Sequence, residues 1–382
     1  MRILHFSWEY PPVMYGGLGA HVLALTQAQA RRGHEVAVIT QAKPGDAGSH
    51  VNSNGVEVIR VANHYPDAQM VHEKFAYWVH GFALASQNAC ELMSRKPEIV
   101  HGHDWIAAGQ LNVAAKQFSV PSVLTVHATE FGRHNGWLTS RLSQTIYANE
   151  RRAVQSADSV IVCSEHMTHE IRCGYGVEPK NLNVIANAVS PLLSIAQRTT
   201  HNSENIVVGF IGRLEWEKGV HHIIDAMELI IDERVKLEIV GTGSQLANLQ
   251  EKVQRKRLGD RVSFLGHIED RDRAEIVQSW NLAVIPSSYE PFGIVALELG
   301  QVGVPIIASQ VGGLRDIISS SEFGYLIGEI SGGSIAREIE AILSDQTLAI
   351  KKADRLRSRV EAEFTWDSVV DLTNSVYEKV SA

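Results

Sequence analysis

Two glutamates, Glu290 and Glu298, form the strongest chemical signal in the sequence, in a segment that follows a short apolar run. Between them lie Pro291, which suits the first turn of a helix, and Gly293, which lets the backbone approach a ligand closely. Because backbone N–H groups at the start of a helix attract anions, we expect this segment to bind the phosphates of a sugar diphosphate. A nearby carboxylate would hold sugar or ribose hydroxyls. The alternative is a helix with an acidic cap and a solvated Glu298.

Two cations, Arg213 and Lys218, lie between glycines in the segment 212–219, directly after a predicted strand. Two positive charges at the end of a strand suit a diphosphate, because the negative charge on that group grows as it leaves. Together with the segment around Glu290, they would give one domain both cations and amides for a single ligand. The alternative is an ordinary solvated loop with pairs of glutamate and lysine.

A loop that contains Gly16 and Gly17 follows the first predicted strand. It resembles a dinucleotide-binding fingerprint only superficially, because the glycines come well after the strand and the second strand does not end in an acidic residue. We interpret it as a loop whose amides contact a phosphate across a cleft between domains. A plain flexible loop is the alternative.

Histidines and an aspartate lie at the ends of two further predicted strands: His101, His103 and Asp104 at one, and His127 at the other. A metal site built from these four is conceivable. However, Gly102 and the pleat of the strand place both histidines on one side, and no further ligand has matching spacing. We therefore predict no metal and no other cofactor, and expect hydrogen bonds to substrate. Purely structural histidines are the alternative.

Alternating strands and helices must position these segments. In the first half, apolar runs predict strands at 2–6, 35–40, 56–61, 99–101, 122–127, 159–163 and 184–186, and helices at 19–32, 71–95 and 106–117. In the second half they predict strands at 206–211, 237–240, 262–265, 282–285 and 305–308, and helices at 220–231, 245–257 and 294–301. This alternation predicts two doubly wound α/β domains, which bind ligands beyond the carboxyl ends of their strands. A polar stretch at 194–205 is predicted to link them.

Length and composition agree with a two-domain protein that acts on small molecules. A chain of 382 residues exceeds one ordinary domain, and its net charge of −8 argues against nucleic acid as a partner. Three unpaired cysteines, no signal peptide and no long apolar run predict a cytoplasmic protein. Basic helix faces at 252–261 and 351–359 leave open a peripheral contact with the inner face of a membrane.

The chain resembles the retaining glycosyltransferases of family 4, which have the GT-B architecture, and most closely their bacterial glycogen-synthase-like branch. The resemblance covers nearly the whole chain and includes a pair of glutamates that matches Glu290 and Glu298. The other matching segments are Trp8-Glu9-Tyr10-Pro11-Pro12, Gly16-Gly17-Leu18-Gly19, His101-Gly102-His103-Asp104-Trp105, His127-Ala128-Thr129-Glu130, Ile185-Ala186-Asn187-Ala188-Val189, Gly212-Arg213-Leu214, Glu217-Lys218-Gly219 and Val311-Gly312-Gly313.

The resemblance implies a role for each site residue. Arg213 and Lys218 would bind the donor diphosphate and stabilise its departure, and Glu298 would hold the nucleotide ribose. Glu290 would grip the donor sugar, together with the backbone amides of Phe292, Gly293 and Ile294. The other implied contacts are His127 with the donor sugar, Gly16 and Gly17 with the phosphate, Ile268 with the base, and Asp104 and Glu130, more weakly, with sugar or acceptor.

The implied enzyme is a hexosyltransferase that needs no metal and retains the anomeric configuration of its donor. It would move glucose from UDP-glucose to a glucan or to an envelope or exopolysaccharide acceptor, free or lipid-linked. Residues 1–193 would form the acceptor domain, joined by a C-terminal helix at 365–382, and residues 194–364 would form the donor domain. The alternatives are a sugar-nucleotide epimerase, a glucan phosphorylase, or a relative that binds carbohydrate without catalysis.

Overall fold

A computed structural model of the chain describes residues 1–52, 54–65, 74–93, 95–190 and 205–382, without the side chains of Asp270 and Arg271. The described residues form two compact units. Unit 1 comprises Met1–Ala188 and Trp366–Ala382, and unit 2 comprises Val189–Thr365. Apart from Asn205, the predicted linker at 194–205 and the predicted domain boundary at 193 lie outside the described residues.

Unit 1 is built on a sheet that has eight strands among the described residues, in the order β3-β4-β2-β1-β5-β6-β7-β8. All neighbouring strands are parallel except β3, which pairs antiparallel with β4 at one edge. The strands are β1 (Arg2–Phe6), β2 (Glu35–Gln41), β3 (Gly48–Val51), β4 (Glu57–Val61), β5 (Ile99–His103), β6 (Ser122–Val126), β7 (Ser159–Val162) and β8 (Leu182–Val184). The helices are α1 (Gly17–Arg31), α2 (Phe75–Glu91), α3 (Ala108–Phe118), α4 (Glu130–Arg133), α5 (Arg141–Ser156) and α6 (Glu165–His169).

Unit 2 contains a parallel sheet with the order β11-β10-β9-β12-β13-β14 among the described residues. Its strands are β9 (Ile206–Ile211), β10 (Val235–Val240), β11 (Val262–Gly266), β12 (Leu282–Ile285), β13 (Ile306–Ser309) and β14 (Tyr325–Ile327). The helices are α7 (Val220–Leu229), α8 (Leu246–Arg255), α9 (Asp270–Gln278), α10 (Ile294–Val302), α11 (Leu314–Ile317), α12 (Gly332–Ser344) and α13 (Gln346–Glu363), followed by α14 (Trp366–Ser381) in unit 1.

Both sheets are doubly wound, as the alternation of strands and helices predicts. In each, the chain adds strands on one side of the first strand and then returns to the other side of that strand, so that β5 pairs with β1 and β12 pairs with β9. The central strands are almost wholly buried because helices cover both faces of such a sheet. The return point leaves a crevice at the carboxyl ends of the two strands, where ligands bind in this class of fold.

The C-terminal helix α14 belongs to unit 1 and packs against α1, as predicted. Its residues Val369, Val370, Val376 and Tyr377 are buried. The apolar pattern of this segment predicts that Leu372 shares the buried face, but this prediction is wrong, because 48% of Leu372 is exposed. The helix also carries two carboxylates that form ion pairs with a single arginine of unit 1.

Two strands were not predicted. The residues of β3 are all exposed and contain no apolar run, and β14 is only three residues long. Short edge strands lack the alternating or continuous apolar pattern on which prediction depends. The strand predicted at 184–186 ends at Val184. None of the helices in the described residues is long and apolar enough to cross a membrane.

Candidate active-site residues in the two units

The loops after β9 and β12 in unit 2 bring together two segments that are more than seventy residues apart in sequence. Lys218 Nζ donates a hydrogen bond to Glu290 Oε2 at 2.6 Å, and both side chains are largely buried. The hydroxyl of Ser287 donates to the same carboxylate oxygen at 3.2 Å. Because β9 and β12 are the strands at the return point, this pair lies where the fold is expected to bind ligands.

Close backbone contacts hold these loops in place. Gly219 has a φ of 70°, and a Cβ atom there would lie 2.2 Å from the carbonyl oxygen of Pro286. Gly312, with a φ of 48°, would bring a Cβ within 1.9 Å of the carbonyl oxygen of Glu290. That same oxygen accepts a hydrogen bond from the Gly313 N–H at 3.0 Å. Glycine at both positions is therefore required for the loops to pack at this distance.

The segment after Glu290 leads directly into a helix, as predicted. Gly293 has a φ of 108° and precedes α10, which begins at Ile294. Phe292 is buried and Ile294 is half-buried. The first N–H groups of a helix have no acceptor within the helix, so the amides at this end can bind an anion. Glu290 and the start of α10 thus present a carboxylate and backbone donors in one segment.

The two other predicted donor-binding side chains of unit 2 also have charged partners. Arg213 Nη2 lies 3.5 Å from a Glu217 carboxylate oxygen, and 54% of the Arg213 side chain is exposed. Glu298 accepts a hydrogen bond from Arg273 at 2.9 Å. Sequence analysis did not identify Arg273, because it lies in a charged stretch on α9 and its proximity to Glu298 depends on helix packing. Ile268 is half-buried and follows β11.

In unit 1, the glycine loop leads from β1 into α1, where Gly16 and Gly17 are exposed. The Glu9 carboxylate accepts hydrogen bonds from the N–H of Tyr15 at 2.9 Å and from the N–H of Gly16 at 3.1 Å. The buried carboxylate of Glu9 therefore already accepts the hydrogen bond of the Gly16 N–H, which sequence analysis predicted to bind phosphate. The spacing of Glu9 in the sequence does not predict its contact with these amides.

Asp104 and His127 lie side by side after the neighbouring strands β5 and β6. The Asp104 carboxylate accepts a hydrogen bond from the His127 N–H at 2.7 Å, and Asp104 has a φ of 60°. Burial raises the pKa of Asp104 to about 7, while burial lowers the pKa of His127 well below its usual value. The imidazole of His127 is therefore neutral at pH 7, and it is half-buried rather than enclosed.

His101 and His103 are fully buried and lie on the same side of β5, as predicted. Their rings stack at 4.5 Å, and His5 of β1 joins them because it is paired with His101 in the parallel register. The nitrogens of His5, His101 and His103 lie within 4.8 Å of one another, as do those of His21, His103 and His127. Sequence analysis missed His5 and His21, whose positions depend on strand register and on α1.

Glu130 is buried, and its carboxylate lies 3.0 Å from His134 Nε2. Its N–H donates to the carboxylate of Glu150, which also accepts a hydrogen bond from the Tyr175 hydroxyl. Burial raises the pKa of Glu150 to about 8. The segment from His127 to Glu130 is thus fixed by buried carboxyl groups, and Glu130 exposes little surface for a saccharide.

Comparisons with known proteins identify the family to which a chain with these two doubly wound units belongs. The chain matches the model of "Glycosyl transferases group 1" over residues 168–362 and that of "Glycosyltransferase Family 4" over residues 15–191. It is 34% identical to a glycogen synthase of Mycobacterium tuberculosis, over 99% of this chain and 94% of that relative. A sucrose-phosphate synthase of Thermosynechococcus elongatus is similar in structure, with a TM-score of 0.86, 25% identity, and coverage of 99% of this chain and 98% of that one. Anabaena HepE in complex with UDP-glucose has a TM-score of 0.77 and 21% identity, over 99% of this chain and all of that one.

Proposed function

This chain belongs to glycosyltransferase family 4, and we propose that it moves glucose from UDP-glucose to a saccharide acceptor with retention of the anomeric configuration and without a metal ion. It is a hexosyltransferase with two Rossmann-like domains. The observation that carries the proposal is the buried contact between Lys218 and Glu290 at the return point of the unit 2 sheet.

The cations of unit 2 support binding of a diphosphate. Lys218 and Arg213 each have a glutamate partner, so neither positive charge is uncompensated before the substrate binds. A diphosphate would offer both cations charge-assisted contacts in place of these carboxylates and would also bind the amides at the start of α10. Fixed cations that face the leaving group stabilise the charge that develops on it, which is the role a divalent ion would otherwise have.

The carboxylates of unit 2 support binding of hydroxyl groups. Glu290 lies beside Lys218, so it is adjacent to the proposed diphosphate and hence to the donor sugar. Glu298 lies on α10 and is held by Arg273 of α9, and from there it would accept hydrogen bonds from the ribose. Ionised carboxylates accept but do not donate, and sugar hydroxyls supply the donors they need.

The proposed reaction proceeds on one face of the sugar. The bond between the anomeric carbon and the β-phosphate oxygen breaks, and the acceptor hydroxyl forms the new bond from the same side. The departing phosphate oxygen takes the proton of that hydroxyl, so no protein base is required. Arg213 and Lys218 hold the phosphate as its charge increases. In unit 1, we assign His127 and Asp104 to hydrogen bonds with sugar hydroxyls, Gly17 to phosphate, and Glu130 to a weaker acceptor contact.

The choice of glucose and of the acceptor class draws on relatives. The similarity to a glycogen synthase over almost the whole chain favours a glucosyl donor and a glucan acceptor. The complex of HepE with UDP-glucose favours the uridine nucleotide. A lipid-linked saccharide and a peripheral membrane contact at the cytoplasmic face stay predictions, because they depend only on basic helix faces in the sequence.

A donor panel tests the proposal. Purified protein in EDTA would be given UDP-glucose, ADP-glucose or GDP-mannose, each with and without a malto-oligosaccharide or a lipid-linked saccharide, and nucleotide release would be measured. We expect release from UDP-glucose that requires an acceptor, and an α-linked product by proton NMR. Conversion of the sugar nucleotide without an acceptor would indicate an epimerase, and binding without turnover would indicate a non-catalytic relative.

A further inference from the structure

A chain of hydrogen-bonded side chains runs through the core of unit 1 and ends at His127. His127 Nε2 lies 3.1 Å from His103 Nδ1, and His103 Nε2 lies 3.1 Å from His5 Nδ1. His5 Nε2 in turn lies 2.8 Å from Gln29 Oε1 on α1. We call these four residues the histidine relay. Its inner members are completely buried, and only His127 reaches partly exposed surface.

A second branch continues from the same glutamine to the C-terminal helix. Gln29 Nε2 donates to the hydroxyl of Tyr377 on α14 at 3.2 Å. The Tyr377 oxygen lies 2.6 Å from His101 Nδ1, and His101 Nε2 lies 2.7 Å from Thr125 Oγ1. The amide of Gln29 therefore joins both branches, with its oxygen toward one histidine and its nitrogen toward a tyrosine.

The protonation of the relay follows from one rule. A neutral imidazole has one N–H donor and one bare nitrogen acceptor. Burial lowers the pKa of His5 to about 4 and lowers those of His103 and His127 well below their usual value, so all three are neutral near pH 7. Each contact between two of these rings must then consist of one donor and one acceptor. Consequently, the direction of the first hydrogen bond determines the direction of every later one.

The distances around Gln29 determine that direction. Hydroxyl donors form shorter hydrogen bonds than amide or ring N–H donors do. The 2.6 Å contact from the Tyr377 oxygen to His101 therefore suits the hydroxyl as donor. The 3.2 Å contact from Gln29 to the same oxygen suits the amide nitrogen as donor. This leaves the Gln29 oxygen facing His5, which must donate to it.

We propose that the histidine relay holds His127 with its proton on Nε2 and leaves Nδ1 as a hydrogen-bond acceptor for a hydroxyl of the bound sugar. Gln29 and Tyr377 are positioning residues in this account, because they act on His127 only through the relay. His5 donates to Gln29, His103 donates to His5, and His127 donates to His103. A sugar hydroxyl can donate to the bare nitrogen, whereas a carbonyl or carboxylate group cannot.

The tautomer can be measured on the free protein, independently of any activity. We would label the histidines with nitrogen-15, record long-range proton–nitrogen correlation spectra at pH 7.5, and assign His127 from the signals lost in His127→Gln. The expected pattern is a protonated Nε2 and an unprotonated Nδ1. The opposite tautomer in the wild-type protein would overturn the proposal, even if every variant failed to fold.

Removal of the glutamine tests whether the relay sets this state. In Gln29→Leu, His5 loses its acceptor, so we expect the His127 signals to show a mixture of both tautomers. Thr26→Val is the matched control, because Thr26 is equally buried on the same helix and its hydroxyl forms hydrogen bonds with Val22, Leu23 and Tyr10, outside both branches. It should leave the tautomer of His127 unchanged. A folded Gln29→Leu protein with the wild-type tautomer would exclude the relay as its cause.

The part of the proposal that concerns sugar rests on the proposed function and needs turnover. With a panel of monodeoxy UDP-glucose donors, we expect one deoxy sugar to react roughly three- to tenfold more slowly than UDP-glucose, the effect of one lost neutral hydrogen bond. That penalty should shrink in Gln29→Leu. Equal penalties in both proteins would overturn the hydroxyl contact. Absence of turnover with UDP-glucose itself would count against the proposed function and leave the NMR result intact.

Discussion

The two units use ionisable side chains in opposite ways. In unit 1 the histidines near β1 and β5 are buried, neutral and linked to one another, to amide or hydroxyl groups and to the half-buried His127. In unit 2 the residues near the return point form oppositely charged pairs, whose side chains range from largely buried to half exposed. Neutral groups can fix the direction of hydrogen bonds, whereas paired cations can exchange partners when an anion arrives.

The two units can therefore contribute different interactions to a transferase. A diphosphate is bound by positive charges. When it binds to unit 2, it would replace glutamate as the partner of Lys218, so that the lysine always has an anionic partner. A neutral sugar needs hydrogen bonds of defined direction, which buried uncharged rings can provide without competition from water. The predictions below change one side of this comparison at a time, beginning with the largest expected effect.

Removal of one cation should abolish most of the activity. We expect Lys218→Ala to lower kcat about 10²- to 10³-fold, the loss seen when one preorganised electrostatic contact to a reacting group is removed. Nucleotide release from UDP-glucose measures this. Lys252→Ala is the control, since Lys252 is an equally buried lysine of unit 2 that pairs with Asp225. A Lys218→Ala enzyme with a near-normal rate would remove this residue from the mechanism.

Lowering the pH should destabilise the fold of unit 1 more than that of unit 2. His5 and His21 have pKa values lowered by burial to about 4, and the same residues titrate near 6.5 when unfolded. Unfolded chains therefore bind extra protons as pH falls from 6.5 toward 4, and stability is lost over that range. Unit 2 has only half-buried histidines with lowered pKa values, His221 and His222, among its described residues.

Hydrogen exchange of β5 and β12 amides at pH 7 and pH 5, corrected for intrinsic rates, checks this expectation. Protection of β5 should decrease more than protection of β12. An equal decrease in both strands, or a larger one in β12, would contradict the contrast between the units.

One buried carboxyl group should make unit 1 sensitive to base as well. The pKa of Glu150 is raised by burial to about 8, so the folded protein keeps a proton that the unfolded chain loses near 4.5. Glu150 alone therefore makes stability fall as pH rises from 4.5 to 8, whereas the histidines oppose this below pH 6.5. Between pH 6.5 and 8 the histidine contribution is constant, and Glu150→Gln should flatten the remaining slope in urea unfolding. Glu178→Gln, at an exposed glutamate of the same unit, should leave the slope unchanged. An unaltered slope in Glu150→Gln would show that this group is not protonated in the folded state.

The smallest effect is expected for the arginine that holds Glu298. Arg273→Met leaves the carboxylate in place but without this partner. Because the pair is partly exposed, we expect only about a two- to fivefold increase in KM for the donor, with little change in kcat. Steady-state kinetics measure both, with Arg255→Met, an exposed arginine of α8, as the control. A decrease in kcat at constant KM would instead place Arg273 in the chemical step.

The fold and the main site segments could be predicted because their signals are local. Apolar runs predict the central strands, and Lys218 and Glu290 lie in the loops that follow two of them. The residues that were missed depend on contacts between distant segments. His5 reaches His101 only through the register of β1 and β5, and Arg273 reaches Glu298 only through packing of α9 and α10.

The contact of Glu9 with two backbone amides could not be predicted for a similar reason. It results from the path of the loop before α1, which no local pattern specifies. The exposure of Leu372 likewise depends on the rotation of α14 in its packing site, which a stripe of apolar residues does not determine to within one position.

Calorimetric titration of UDP into the protein in the presence of EDTA separates diphosphate binding from acceptor binding and from the chemical step. We expect binding that persists without divalent ions, weakens with added salt and is lost in Lys218→Ala. Binding that appears only when magnesium or manganese is added, or that is unchanged in Lys218→Ala, would contradict this expectation.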